Sequence, residues 1–98
     1  MSAIPIEVPT LMDLKTCPRV ARMFKLQWEE VQQSWVLLYP EGMVKLNGSA
    51  GEIMSRLDGT TSIQTLISTL EQQFETPDLQ ADVLDFLVIA KRQGWVQA

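Results

Sequence analysis

The sequence lacks histidine altogether and has a single cysteine, Cys17, among its 98 residues. Histidine is the commonest general base and the commonest metal ligand, so both kinds of site lose their usual residue. One cysteine excludes an internal disulfide and is typical of a reducing compartment. The thiol has no histidine to activate it, and the carboxylates do not show the spacing of a calcium loop. The residues therefore predict a protein that is not an enzyme and holds no metal or organic cofactor.

Long apolar runs are also missing. No stretch approaches the roughly 18 apolar residues that a membrane span needs, and the N-terminus does not show the basic-then-apolar pattern of a signal peptide. Hydrophobic residues make up 46% of the chain and charged residues 20%, as in ordinary globular domains. A chain of this length has room for one domain. We expect a soluble, cytoplasmic domain without a membrane partner.

Positive charge is scarce, with 8 basic against 12 acidic residues and a net charge of −4. No lysine or arginine occurs between Leu57 and Ala90. That span contains only acidic charges, at Asp58, Glu71, Glu75, Asp78, Asp82 and Asp85. Because the phosphates of nucleic acid bind to basic surfaces, a helix from this span would be repelled by a duplex. We expect no binding to nucleic acid.

The first half of the chain has the pattern of a small sheet. Residues 1–20 contain three of the five prolines and are expected to form an irregular arm before a domain at 21–98. Apolar and polar residues alternate over 22–29, which predicts a half-buried strand. The continuous apolar run at 35–39 predicts a central strand, and 43–46 a shorter edge strand. Together they predict a three-stranded antiparallel meander.

Helical spacing takes over after Asn47. The pattern predicts three helices, the first capped by Ser49 with Glu52 in a capping box, the second capped by Ser62, and the third spanning about 78–92. A short apolar tail follows Gly94. The predicted fold class is α+β and winged-helix-like, with a three-stranded antiparallel sheet followed by a three-helix bundle.

The third predicted helix has more apolar surface than one core contact needs. Leu84 and Val88 lie outside the stripe that faces the core, about 60 to 100° beyond its edge at 100° per residue. One interpretation is that the sheet wraps round the helix and buries them. The other is that they line a hydrophobic groove beside the edge strand, where a peptide could add as a further strand. Lys45 on that strand would hinder uncontrolled pairing with other chains.

Several sequence blocks resemble the PqqD family of pyrroloquinoline quinone (PQQ) biosynthesis. The most specific block is VLLYPEGMVKLN at residues 36–47. Shorter ones are SAGEI at 49–53, LDG at 57–59, DVLDFL at 82–87 and GW at 94–95. The resemblance extends over about residues 22–96 and leaves out the N-terminal arm.

The resemblance implies the fold of a RiPP recognition element and a non-catalytic peptide chaperone. Such a chaperone binds the precursor peptide PqqA and presents it to the radical SAM enzyme PqqE. In this family the peptide adds to the third strand and packs against the third helix. Carried onto this chain, the peptide-binding edge would be Met43, Val44, Lys45 and Leu46. The facing wall would be Leu84, Leu87, Val88 and Lys91.

A second function class also fits the residues. The run at 35–39 is apolar on both faces, and three helices on one side cannot cover both. The N-terminal arm or a second copy of the chain could supply the cover. The alternative to a peptide chaperone is therefore a structural dimerisation domain, in which a homodimer buries the edge strand and the surplus helix face.

Overall fold

The structure, a computed structural model, describes residues 13–98. Its elements are, in order, β1 (Arg19–Val20), β2 (Lys25–Glu29), β3 (Ser34–Tyr39), β4 (Gly42–Lys45), α1 (Gly48–Met54), α2 (Ile63–Gln73), α3 (Gln80–Arg92) and β5 (Val96–Gln97). Strands β2, β3 and β4 form one antiparallel sheet with β3 in the middle, and the three helices follow it. This order confirms the predicted α+β fold.

The central position of β3 explains its apolar sequence. Leu37 lies opposite Leu26 on β2 and Val44 on β4, so these three side chains share the face that the helices cover. Leu37 is completely buried. Val36, on the opposite face, is buried as well, whereas Leu38 on that face is half-buried.

The core lies between this sheet face and the helices. Its buried members come from β3, the end of the sheet, all three helices and β5: Leu37, Leu46, Ala50, Ile53, Met54, Ile63, Leu66, Ile67, Leu70, Val83, Leu87, Ala90 and Val96. Helix α1 approaches β3 very closely, because a Cβ atom on Gly51 would lie only 2.7 Å from Cδ1 of Trp35. The glycine therefore sets the distance between helix and sheet.

The prediction that Ser49 caps the first helix was wrong. Helix α1 begins at Gly48, and Oδ1 of Asn47 accepts the N–H of Ala50 at 2.7 Å. Asn47 has the extended backbone of an N-cap, and asparagine caps as well as serine does, so Ser49 lies inside the first turn. The predicted cap of α2 is confirmed, since Ser62 Oγ accepts the N–H of Thr65 at 3.1 Å.

Helix α3 begins two residues later than the predicted start at 78. Asp78 has a φ of 60°, in the left-handed region, so it cannot belong to a right-handed helix. Leu79 then stands at the N-cap without a capping side chain of its own. A carboxylate oxygen of Glu71, on α2, accepts the N–H of Leu79 at 3.0 Å. One helix thus caps the next.

The described part of the predicted arm is ordered against the domain. Strand β1 pairs with β5, which the sequence had indicated only as an apolar tail. The N–H groups of Ile63 and Gln64, in the first turn of α2, donate to the carbonyls of Thr16 and Leu14 at 2.9 and 3.0 Å. These bonds satisfy donors that a helix start leaves free. The remainder of the arm, residues 1–12, lies outside the described residues.

Candidate functional site

Strand β4 is an edge strand within the described residues, where it pairs with β3 alone. The N–H of Leu46 donates to the carbonyl of Trp35, its opposite residue, at 3.0 Å. Since hydrogen-bonded and non-hydrogen-bonded pairs alternate along an antiparallel ladder, Val44 also directs its backbone groups towards β3. Met43 and Lys45 direct theirs the other way. The side of β4 away from β3 thus presents two N–H and two C=O groups.

The side chains of β4 divide between its two faces, as the alternation predicts. Met43 is 53% exposed, and Lys45 is exposed beside it, on the face away from the helices. Val44 is half-buried on the helix side. Leu46 follows on that side and is buried in the core. A strand added beside β4 would therefore contact the side chain of Val44 on the face towards the helices. Leu46 would support that contact from within the core.

The direction of α3 relative to β4 follows from the chain ends around it. The carbonyl of Trp95, just after α3, accepts the N–H of Ala21, just before β2. The sheet register places the start of β2 and the start of β4 at the same end of β3. At its other end, α3 borders a cleft together with Gly48, which follows β4. Helix α3 and strand β4 therefore run in opposite directions.

The predicted wall residues of α3 differ in exposure. Leu84, Val88 and Lys91 are half-buried, so each keeps surface for a ligand. Leu87 is completely buried in the core and presents no surface to a peptide. Ile89, on the far side of the helix, is 51% exposed. Of the four predicted wall residues, Leu87 can only support the wall from within the core. The other three can contact a ligand.

A cleft of about 450 Å³ opens beyond the C-terminal end of β4. The start of α1, the end of α2 and the start of α3 line it, with Leu70, Phe74 and Leu79 among the apolar residues. Sequence reasoning did not find this cleft, because its residues come from three separate helices. The sequence contained one signal, because Phe74 continues the apolar spacing of α2. In the structure Phe74 lies past the last helical residue, and its side chain is 46% exposed.

One carboxylate of the described residues, Asp58, has a clearly lowered pKa and lies away from this region. Its carboxylate accepts the N–H groups of Thr60 and Thr61 at 2.9 and 2.8 Å, and the Thr61 hydroxyl at 3.0 Å. These bonds favour the charged form and lower the pKa of Asp58 to about 2. The turn that they fix also pairs with Arg19 in the arm. Asp58 therefore stabilises this turn and its contact with the arm.

The candidate site offers backbone hydrogen bonds and apolar contact. Among residues 13–98, no three Asp, Glu or Cys side chains gather closely enough to hold a metal ion. Nor does a helix in that range have the length and apolar composition needed to cross a bilayer. The half-buried Cys17 directs its thiol at the carbonyl of Lys15, with 3.7 Å between sulfur and oxygen.

Comparisons with known proteins find similar sequences and a similar fold. Residues 34–96 match the sequence model of the family described as coenzyme PQQ synthesis protein D, PqqD. The PqqA binding protein of Azotobacter vinelandii is 44% identical over 85 residues, which cover 86% of this chain and 92% of that protein. The PqqA binding protein of Pseudomonas aeruginosa strain UCBPP-PA14 is 43% identical over 89 residues, covering 90% and 97%.

A solved structure shares the fold. The solution NMR structure of the PqqD part of Methylobacterium extorquens PqqCD is described as a functional, stand-alone RiPP recognition element. It matches this chain with a TM-score of 0.74 and 26% sequence identity, over 92% of this chain and 98% of the other.

Proposed function

Because the chain belongs to the PqqD family, we propose that it is a non-catalytic chaperone of PQQ biosynthesis that binds the precursor peptide PqqA. Two observations support PqqA as the ligand. Curated relatives that this chain matches over most of their length are named PqqA binding proteins. The matching solved structure is described as a recognition element for peptides of the RiPP class.

The mode of binding we propose is strand addition to β4. The observation that carries it is the outward direction of the backbone groups of Met43 and Lys45, which follows from the Leu46–Trp35 hydrogen bond. An antiparallel or parallel peptide strand can pair with these groups without disturbing the existing sheet. Each such hydrogen bond contributes about 0.5–1.5 kcal/mol net. Four of them give moderate affinity that does not depend on the peptide sequence.

Selectivity for the peptide comes from the side chains beside the edge. Every second residue of an added strand points towards the helices. There Val44, Leu84 and Val88 are half-buried and can take apolar peptide side chains, each burial contributing about 1.5–3 kcal/mol. Lys91 at the rim can pair with a peptide carboxylate. Leu46 and Leu87 hold this wall from within the core.

The bound peptide is then presented to the radical SAM enzyme PqqE. The resemblance to the family implies that PqqE crosslinks a glutamate and a tyrosine of PqqA. A chaperone that holds the peptide by one short strand leaves the rest of it accessible to an enzyme. This division of labour fits a chain whose sequence offers no histidine for acid–base chemistry.

A calorimetric titration of PqqA into the wild type and into Met43→Pro tests the proposed binding mode. The proline removes an N–H that faces away from β3, a position that edge strands tolerate. Loss of one or two backbone bonds is expected to weaken binding by about tenfold. Met43→Ala is the matched control, since it removes the side chain and keeps the N–H. Equal affinities of Met43→Pro and Met43→Ala, with both folded by circular dichroism, would refute strand addition at this edge.

Light scattering on the same samples separates the chaperone from the dimerisation domain. The chaperone hypothesis expects a complex with PqqA whatever the oligomeric state of the free protein. If instead the wild type is a dimer, Met43→Pro is a monomer, and neither binds PqqA, then a second copy of the chain is the natural occupant of the edge.

A further inference from the structure

A second surface suited to binding lies at the corner where α2 ends and α3 begins. Phe74 stands at the lip of the cleft described above and is 46% exposed. The floor of the cleft is apolar, formed by Ile53, Leu70 and Val83, all of which belong to the core. An exposed aromatic ring beside an apolar cleft is a suitable place for an apolar side chain of a partner to bind.

Most charges around this corner are negative. Asp82 lines the cleft, and Glu75 and Asp78 are exposed in the connection between the two helices. The exception is Arg56, whose guanidinium carbon lies 5.8 Å from the centre of the Phe74 ring. Its guanidinium is already bonded to Glu52 at 2.6 Å, so its charge is balanced. The corner therefore attracts positive charge.

The backbone of the connection is held in an unusual shape. Glu75 and Asp78 have φ values of 50° and 60°, in the left-handed region that residues other than glycine seldom adopt. The bond from the Leu79 N–H to the Glu71 carboxylate fixes the end of this segment. At Glu75 this conformation ends α2, where the N–H of Thr76 donates to the carbonyl of Glu71 at 3.0 Å.

We propose that this acidic corner, formed by Phe74, Glu75, Asp78, Asp82 and the adjoining cleft, docks a partner protein that presents an apolar side chain between lysines or arginines. The apolar side chain enters the cleft beside Phe74, and the basic residues face the carboxylates. Charge complementarity selects this partner over an acidic one.

The acidic corner differs from the proposed peptide wall and goes beyond that function. At 100° per residue, Asp82 lies about 160° from Leu84 and about 120° from Val88 around α3. The two sides of one helix can then serve two ligands at once. A protein that holds PqqA on one side and a basic partner on the other brings the two together.

The test uses fluorescence titration with a synthetic peptide in which Leu-Trp is flanked on each side by two lysines. The wild type is expected to bind it, and binding should weaken about tenfold or more in Phe74→Ser and in Asp82→Lys. Glu41→Lys makes the same charge change in the exposed turn between β3 and β4 and should bind as the wild type does. PqqA affinity, measured in parallel, should be unchanged in Phe74→Ser.

Four results would overturn the proposal. The first is undiminished binding in Phe74→Ser and Asp82→Lys. The second is equal binding of a control peptide with Ser-Ser in place of Leu-Trp, which would show charge attraction alone. The third is a tenfold loss of PqqA affinity in Phe74→Ser, which would make the cleft part of the PqqA site. The fourth is a wild-type dimer that Phe74→Ser converts to a monomer, which would make a second copy the occupant.

Discussion

At the scale of single residues, Gly51 and Asp58 stabilise the framework that carries the proposed site. Gly51 lets α1 lie against Trp35, and Asp58 holds the turn between α1 and α2 and its contact with the arm. Neither residue belongs to the proposed binding surfaces. Each supports them by keeping a helix or a turn in place.

Replacing Gly51 by alanine should destabilise the protein although alanine is the better helix former. The added methyl would approach Trp35 within 2.7 Å, and overpacking of this kind costs about 1–3 kcal/mol. The gain in helix propensity is at most about 1 kcal/mol. Gly48→Ala is the control, because nothing lies within 4 Å of a Cβ at that position. Urea unfolding should show a lower midpoint for Gly51→Ala alone, and equal midpoints would contradict the account.

The carboxylate of Asp58 should make the protein sensitive to acid. Its pKa in the folded protein, about 2, lies below the ordinary value of 3.8. The stabilisation is therefore complete above the unfolded pKa and is lost as the pH falls towards the folded one. Asp58→Asn keeps an oxygen acceptor without the charge. Between about pH 5 and pH 2.5, urea unfolding should show a larger loss of stability in the wild type than in Asp58→Asn. Equal losses would mean that another group titrates.

At the scale of elements, the sheet and helices could be predicted from the sequence, and the short pieces could not. Alternation over residues 22–29 predicted a strand that the structure shortens to β2 at 25–29, because residues 22 and 23 form a turn. Helical spacing after Asn47 is a long pattern that tertiary contacts did not override. Strands β1 and β5 have two residues each, too few for any pattern. Helix α3 starts late because the backbone of Asp78 is left-handed, and the presence of an aspartate in the sequence does not predict that conformation.

The candidate site was predictable in part for the same reason. The edge position of β4 follows from strand order, and the surplus apolar face of α3 from helical spacing. The direction of each N–H on β4 depends on the register with β3, which only the structure supplies. The burial of Leu87 and the cleft beside Phe74 depend on how the helices pack together.

Val88 tests the wall that α3 is proposed to supply. It is half-buried, so Val88→Asp should change the free energy of unfolding by only about 1 kcal/mol. In the complex the carboxylate would face an apolar peptide side chain. Lost burial and desolvation of the charge should then lower PqqA affinity by about tenfold or more.

Ile89→Asp is the matched control for this substitution, since Ile89 is 51% exposed on the far side of the helix. It should bind PqqA as the wild type does. If Val88→Asp unfolds the protein, Val88 belongs to the core and the wall lies elsewhere on α3. If it folds and binds normally, the peptide does not touch this side of the helix.

At the scale of the whole molecule, one core supports the two proposed binding surfaces. Pairing of β1 with β5 joins the end of α3 to the segment that precedes β2. The acidic corner lies at the opposite end of α3, where α2 caps it through Glu71. Peptide binding at the edge and partner binding at the corner can therefore share a rigid framework without sharing residues.

The central claim is that PqqA adds as a strand to the outer side of β4, and amide hydrogen exchange followed by NMR tests it most directly. In the free protein, the N–H groups of Val44 and Leu46 point to β3 and should exchange slowly, whereas those of Met43 and Lys45 should exchange fast. Saturation with PqqA should slow exchange at Met43 and Lys45 by about tenfold or more, as expected for amides drawn into a ladder. If PqqA binds while both amides keep the exchange rates of the free protein, the peptide does not pair with this edge.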